Sequence, residues 1–106
     1  MSNPDVLFRV LSDPTRRGLF ENLCREGEKT VGALTATAGV SQPVVSKHLG
    51  LLREAGLVID RQAGRQTFYR AQAKALAPLN GWSKEMTTFW QDRFDDLDDL
   101  LKRMDQ

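Results

Sequence analysis

Val45, Leu49 and Leu52 recur at intervals of four and three residues, the spacing that lines side chains along one face of a helix and turns that face into a core. The first turns of such a helix leave Gln42, Pro43, Val44, Ser46 and Lys47 facing outward. Their chemistry is that of base-edge recognition. A glutamine amide carries a donor and an acceptor side by side and matches adenine. A lysine ammonium reaches guanine O6 and N7, and a serine hydroxyl serves base edges or phosphate. Pro43 and Val44 offer apolar surface to a thymine methyl. Ser41 reads as the N-cap of this helix. Beyond it, the first backbone N–H groups are left free for a phosphate.

A second set of residues follows at once. Arg61 and Arg65 flank Gly64, and Arg70 lies a few positions on. Guanidinium groups there can lie along a phosphate backbone or enter a narrow minor groove. Arginines on a hairpin also serve simply to protect a sheet edge.

The elements that must position these groups are legible from caps and periodicity. Val6, Leu7, Val10 and Leu11 give a short first helix, about 4–11. Ser12-Asp13-Pro14 stops it and starts a second, about 14–25, with Leu19, Phe20 and Leu23 as its buried stripe. A third helix, about 32–38, is anchored by Val31 and Leu34 and ended by Gly39. The turn Gly39-Val40-Ser41 leads into the fourth, about 42–55, which makes a helix-turn-helix pattern. Leu57-Val58-Ile59 and Thr67-Phe68-Tyr69 then predict a β-hairpin with strands about 57–62 and 66–71 and Gly64 at its tip. Directly after a helix-turn-helix, that hairpin reads as the wing of a winged helix.

From Trp90 the apolar positions Phe94, Leu97, Leu101 and Met104 follow at spacings 4, 3, 4, 3, a coiled-coil-like seam. Upstream, Leu79, Trp82, Met86 and Phe89 run at spacings 3, 4, 3. The reading is a long amphipathic helix, about 75–104, weakened near Pro78–Gly81. So much apolar surface predicts an isologous two-fold dimer. Its interface would hold Trp82, Met86, Phe89, Trp90, Phe94, Leu97 and Leu101, with Val6 and Leu7 of the first helix.

Charge is segregated along the chain. Residues 41–74 carry six basic side chains (Lys47, Arg53, Arg61, Arg65, Arg70, Lys74) against two acidic ones (Glu54, Asp60). Residues 75–106 carry four against seven. A basic middle suits a polyanion, and an acidic tail is turned away from it. The aspartates at 92, 95, 96, 98 and 99 read as a solvated helix face.

The whole chain is 106 residues, 41% hydrophobic and 27% charged, which fits one globular domain and excludes wholesale disorder. No apolar run approaches the ~18 residues of a membrane span, and no basic-then-apolar signal opens the chain. One cysteine, Cys24, forms no internal disulfide and fits a reducing, cytoplasmic setting. It reads as a buried small hydrophobe rather than a redox switch. There is no glycine-rich phosphate loop, carboxylate pair or nucleophile–base set, so no catalytic residue is expected and an enzyme is excluded.

Four stretches together carry a family resemblance: Leu11-Ser12-Asp13-Pro14-Thr15-Arg16-Arg17; Val40-Ser41-Gln42-Pro43-Val44-Val45-Ser46-Lys47-His48-Leu49; Leu52-Arg53-Glu54-Ala55-Gly56-Leu57-Val58; and Gly64-Arg65-Gln66-Thr67-Phe68-Tyr69-Arg70. In this order, over about residues 5–72, they resemble the ArsR (ArsR/SmtB) family of winged-helix transcriptional regulators. The resemblance implies a mainly α fold with a β-hairpin, a winged helix-turn-helix with N- and C-terminal dimerisation helices. It also implies a homodimer on operator DNA, usually a repressor. His48 falls at the family's usual His-Leu position, where packing or a phosphate contact is expected. Metal-sensing members carry a Cys-x-Cys pair where this chain has Thr30 and Gly32, within Glu28-Lys29-Thr30-Val31-Gly32-Ala33-Leu34. Their other common site uses histidines on the C-terminal helix, which here has none. The chain therefore resembles the branch without those ligands, and no metal or cofactor is expected. The rival reading is a dimer that responds to an unidentified small-molecule effector or to redox, with DNA binding secondary. A cavity lined by Trp82, Met86 or Phe89 would favour that rival.

Overall fold

A computed structural model describes residues 3–105. Helix α1 spans Asp5–Leu11 and stops at Ser12, whose hydroxyl donates back to the Arg9 carbonyl at 2.7 Å. Asp13 is extended and its Oδ1 accepts the Arg16 N–H at 2.9 Å, with Pro14 next in line, so α2 starts on a side-chain cap and runs Pro14–Glu26. A two-residue strand β1, Lys29–Thr30, follows. Thr30 then caps α3, Val31–Ala38, by accepting the Ala33 N–H on Oγ1 at 3.1 Å. Gly39, at φ +74°, ends α3 in the left-handed region that glycine enters without strain. Helix α4 is Gln42–Glu54.

Strands β2, Val58–Ala63, and β3, Gln66–Ala71, form the expected hairpin, and β1 adds to the far side of β3, giving an antiparallel order β1-β3-β2. The sequence reading had no place for β1. It pairs Lys29 with Tyr69 and Thr30 with Phe68, so it exists only through partners far along the chain. Ala63 pairs with Gln66, leaving Gly64-Arg65 as a two-residue loop. Gly64 has φ +64° and no non-glycine residue has a positive φ among the described residues. Positive φ at the first central position alone is the pattern of a type II′ hairpin turn, which demands glycine there.

A 3-10 turn, Ala73–Leu76, precedes α5, Ala77–Met104. The weakening expected near Pro78–Gly81 does not occur. Pro78 sits in the first turn of α5, where its missing N–H has no helical partner to lose, and the helix continues through Gly81.

The chain divides into two compact units that meet at Leu76–Ala77. In the first, α2 lies on α3, α4 and β3, while α4 also meets α3 and β2. Val45, Leu49, Leu52 and Leu57 are completely buried and Leu34 nearly so. Truncating one of these leucines to alanine is of the kind that costs about 2–5 kcal/mol. Leu7, expected at a dimer interface, is a core residue of this unit, whereas its neighbour Val6 is exposed. The seven-residue α1 turns Leu7 inward and leaves Val6 out. The second unit is α5 itself, 28 residues or about 42 Å of helix, with no buried residue. Among the described residues no helix is long and apolar enough to cross a membrane.

Candidate nucleic-acid interface

Helix α4 separates its two faces as the spacing requires. Val45, Leu49 and Leu52 anchor it to the core, and Ser41, Gln42, Pro43, Val44, Ser46 and Lys47 are exposed. Ser41 occupies the N-cap position with extended backbone, but its hydroxyl makes no capping hydrogen bond. That hydroxyl and the first N–H groups of α4 are thus not tied to each other. Pro43 lies in the first turn, where its fixed φ favours the helical start.

His48 is half-buried, and its Nδ1 lies 3.2 Å from Nη1 of Arg16. Arg16 also donates from Nε to the Val10 carbonyl at 2.6 Å. The contact between His48 and Arg16 lies within the subunit. Asp13, at the same helix start, is held below the ordinary carboxyl value of 3.8 by the Arg16 backbone N–H.

The three wing arginines fall into two places. Arg65, at the turn, shares an open cleft with Gln42 at the start of α4, and the same cleft is lined by Thr30, Val31 and Gly32 of the β1–α3 junction and by Gln66 and Thr67. Its volume is about 250 Å³. The cleft therefore brings the wing tip, the first residue of α4 and the N-terminal turn of α3 to one concavity. Nothing in the sequence marks Thr30, Gln66 or Thr67 as interface residues, because only the pairing of β1 with β3 carries Thr30 to the wing.

Arg61 and Arg70 line a second cleft, with Glu28, Ile59 and Asp60. There Arg61 grips Glu28 in a two-pronged ion pair, Nε to Oε2 at 3.0 Å and Nη2 to Oε1 at 2.6 Å. Its guanidinium also stacks over its cross-strand neighbour Phe68, 4.6 Å from the ring centre. The hydrogen bonds from Arg61, and then the Arg61 and Arg70 charges, hold the Glu28 carboxyl below its ordinary 4.5. Arg61, expected to face a polyanion, is exposed and in the single chain pairs with a residue thirty-three positions away. Arg65 and Arg70 are exposed.

The base of the wing is held by hydrogen bonds and an ion pair. Gln72 donates its N–H to the Leu57 carbonyl at 2.8 Å and its Nε2 to the Gly56 carbonyl at 3.1 Å. Arg53 on α4 pairs with Asp60 on β2 at 2.9 Å. Wing and α4 thus hold a defined relation.

Two expectations away from the interface change. Cys24 is exposed rather than buried, because Leu19, Phe20 and Leu23 take the inward positions of α2. Desolvation, and then the Glu21 charge, push its thiol above the ordinary 9.0, away from the thiolate form that reacts. Trp82, Met86 and Phe89, imagined as lining an effector cavity, stand exposed on α5.

Comparison with known proteins agrees with this geometry. A model of a helix-turn-helix domain family matches residues 11–61. The arsenic resistance transcriptional regulator ArsR1 of Pseudomonas putida is 43% identical over 67 residues, 63% of this chain and 52% of that protein, so the match spans about half of that relative's length. The HTH-type transcriptional regulator Rv2034 of Mycobacterium tuberculosis is 37% identical over 94 residues, 84% of this chain and 87% of that protein. The crystal structure of the transcriptional repressor BigR from Xylella fastidiosa is similar in fold, with a TM-score of 0.62 and 42% identity, covering 73% of this chain and 79% of that one.

The arsenic relative raises the question of a soft-ion site. Soft ions are held by several thiolates. This chain has one cysteine, and among the described residues no three His, Cys, Asp or Glu side chains gather to hold a metal ion. The donor set does not fit such an ion within one subunit. With a buried-face α4, a wing beside it and relatives matched along most of its length, the chain belongs to the ArsR family of winged-helix transcriptional regulators.

Proposed function

We propose that the protein binds double-stranded operator DNA sequence-specifically as a homodimer and acts as a cytoplasmic, non-catalytic repressor. The observation that carries this reading is the cleft shared by Gln42 and Arg65, beside an α4 whose opposite face is fully buried. A helix presented this way enters a major groove by its N-terminal turns. Gln42, Val44, Ser46 and Lys47 then face base edges, with Ser41 and Pro43 at the entry. Arg65 follows the adjoining backbone.

The dimer rests on α5. Trp82, Met86, Phe89, Trp90, Phe94, Leu97 and Leu101 are all exposed in the single chain, at helical spacings of three and four on either side of the adjacent pair Phe89-Trp90. A second copy offers the same seam, and a two-fold arrangement closes it. The acidic residues of α5 flank that seam rather than interrupt it.

Selection of bound duplexes from a random pool, followed by sequencing, tests the reading. It should return an imperfect palindrome with half-sites about 10–10.5 bp apart, or a multiple of that. Equal binding to scrambled duplexes would refute it.

A further inference from the structure

We infer that Arg93 and Asp96 are the residues by which the α5 seam selects its partner, Arg93 of each subunit pairing with the partner's Asp96. The inference rests on the α5 dimer proposed above. It adds what makes the seam accept a second copy of this chain rather than any apolar helix.

Spacing singles out Arg93. It stands three residues after Trp90, seven after Met86, four before Leu97 and seven before Leu100, all intervals that keep side chains on one face of a helix. Arg93 therefore lies inside the apolar stripe. At about 100° per residue, every other charged side chain of α5 falls outside it. Asp96, three residues on, stands at its edge.

The structure brings these groups to one surface. An open concavity on α5 is lined by Trp90, Arg93, Phe94, Asp96 and Leu97. Arg93 and Asp96 nevertheless form no side-chain ion pair or hydrogen bond, with each other or elsewhere, among the described residues. Neighbouring acids are satisfied within the helix: Asp98 pairs with Lys102 at 3.1 Å, and Asp95 accepts from Gln91 at 3.2 Å.

Covering the stripe withdraws the Arg93 guanidinium from water, which is costly unless the charge is paired. A second α5 carries the counter-charge on the edge of the same stripe. An isologous contact is reciprocal, so Arg93 meeting the partner's Asp96 also brings Asp96 to the partner's Arg93. An apolar helix without an acid at that place leaves the charge unpaired and is rejected. A charged group in an apolar seam thus gives up some stability and fixes which partner and register are accepted.

Sedimentation equilibrium of the full chain without DNA reads the pairing. Arg93→Asp sets carboxylate against carboxylate, and Asp96→Arg sets guanidinium against guanidinium. Each single variant should self-associate about 100-fold more weakly than the unmodified chain. An equimolar mixture of the two restores both pairs and should return to dimer, as should the double variant Arg93→Asp, Asp96→Arg alone. Asp92→Arg, outside the concavity, should not rescue Arg93→Asp. Circular dichroism checks that α5 stays helical. Should a single variant lose its helix, the double variant decides: a dimer supports the pairing and a monomer overturns it. Single variants that dimerise as tightly as the unmodified chain, a folded mixture that stays monomeric, or rescue by Asp92→Arg would overturn the pairing and leave the α5 dimer standing. A monomeric unmodified chain would instead remove the dimer reading, and the pairing with it.

Discussion

Nδ1 of His48 lies 3.2 Å from Nη1 of Arg16, joining the middle of α4 to the start of α2. A guanidinium has donors only, so in this contact Nδ1 is the acceptor. Arg16 also holds the Val10 carbonyl at the end of α1. One side chain thus ties three helices together just behind the face proposed to meet DNA. Removing the acceptor with His48→Ala should lower stability by about 1–2 kcal/mol. His48→Gln, which restores an acceptor, should recover part of it. Urea unfolding of the three proteins checks this, and an unchanged midpoint in His48→Ala would show the bond to be idle.

Gln42 and Arg65 share a cleft but are assigned different work, which mutation can separate. Gln42→Ala should lose about 1–3 kcal/mol of preference at one base position and leave nonspecific binding unchanged. Arg65→Ala should weaken all sequences alike and reduce the salt slope by about 1. Fluorescence anisotropy at several salt concentrations distinguishes the two. Loss of sequence preference in Arg65→Ala would mean that the wing reads bases.

In the single chain Arg61 is paired with Glu28. Glu28→Gln should free the guanidinium, remove a negative charge and so strengthen binding to any duplex, with a steeper salt dependence. The same pair predicts a response to acid. The folded-state value of Glu28 lies below its ordinary 4.5, so the pair's stabilisation is fully present above 4.5 and fades as pH falls through the depressed value. Thermal melts between pH 5 and about pH 3 should fall less steeply for Glu28→Gln than for the unmodified chain. Parallel curves would assign the acid sensitivity to other carboxylates, Asp13 first.

Much of this architecture is written locally. Asp13-Pro14 starts α2 and Gly39 ends α3 through caps that act within a few residues, and the four-three spacing of Val45, Leu49 and Leu52 fixes which way Gln42 and Lys47 face. What escapes is whatever depends on distant partners. β1 has only two residues and no periodicity, and it becomes a strand by pairing Thr30 with Phe68. Glu28 carries no local sign that Arg61 will meet it. Cys24 was expected to be buried because free cysteine behaves as a small hydrophobe, but α2 spends its inward face on Leu19, Phe20 and Leu23. Pro78 was read as a breaker because the start of α5 was placed too early.

The exposed seam of α5 gives the most demanding prediction. Trp90 is 71% and Phe94 58% exposed, in a helix with no buried residue. If a second copy covers them, the double substitution Trp90→Asp, Phe94→Asp should convert the protein to a monomer in sedimentation. The core of the first unit, centred on Leu49 and Leu52, lies outside the substituted helix and should keep its circular dichroism. Operator affinity should then drop by about 10²–10⁴-fold, because the second half-site is no longer delivered at high local concentration. Binding to an isolated half-site should stay the same, since Gln42 and Arg65 are untouched. A dimer that survives the double substitution would place the two-fold contact on some surface other than α5.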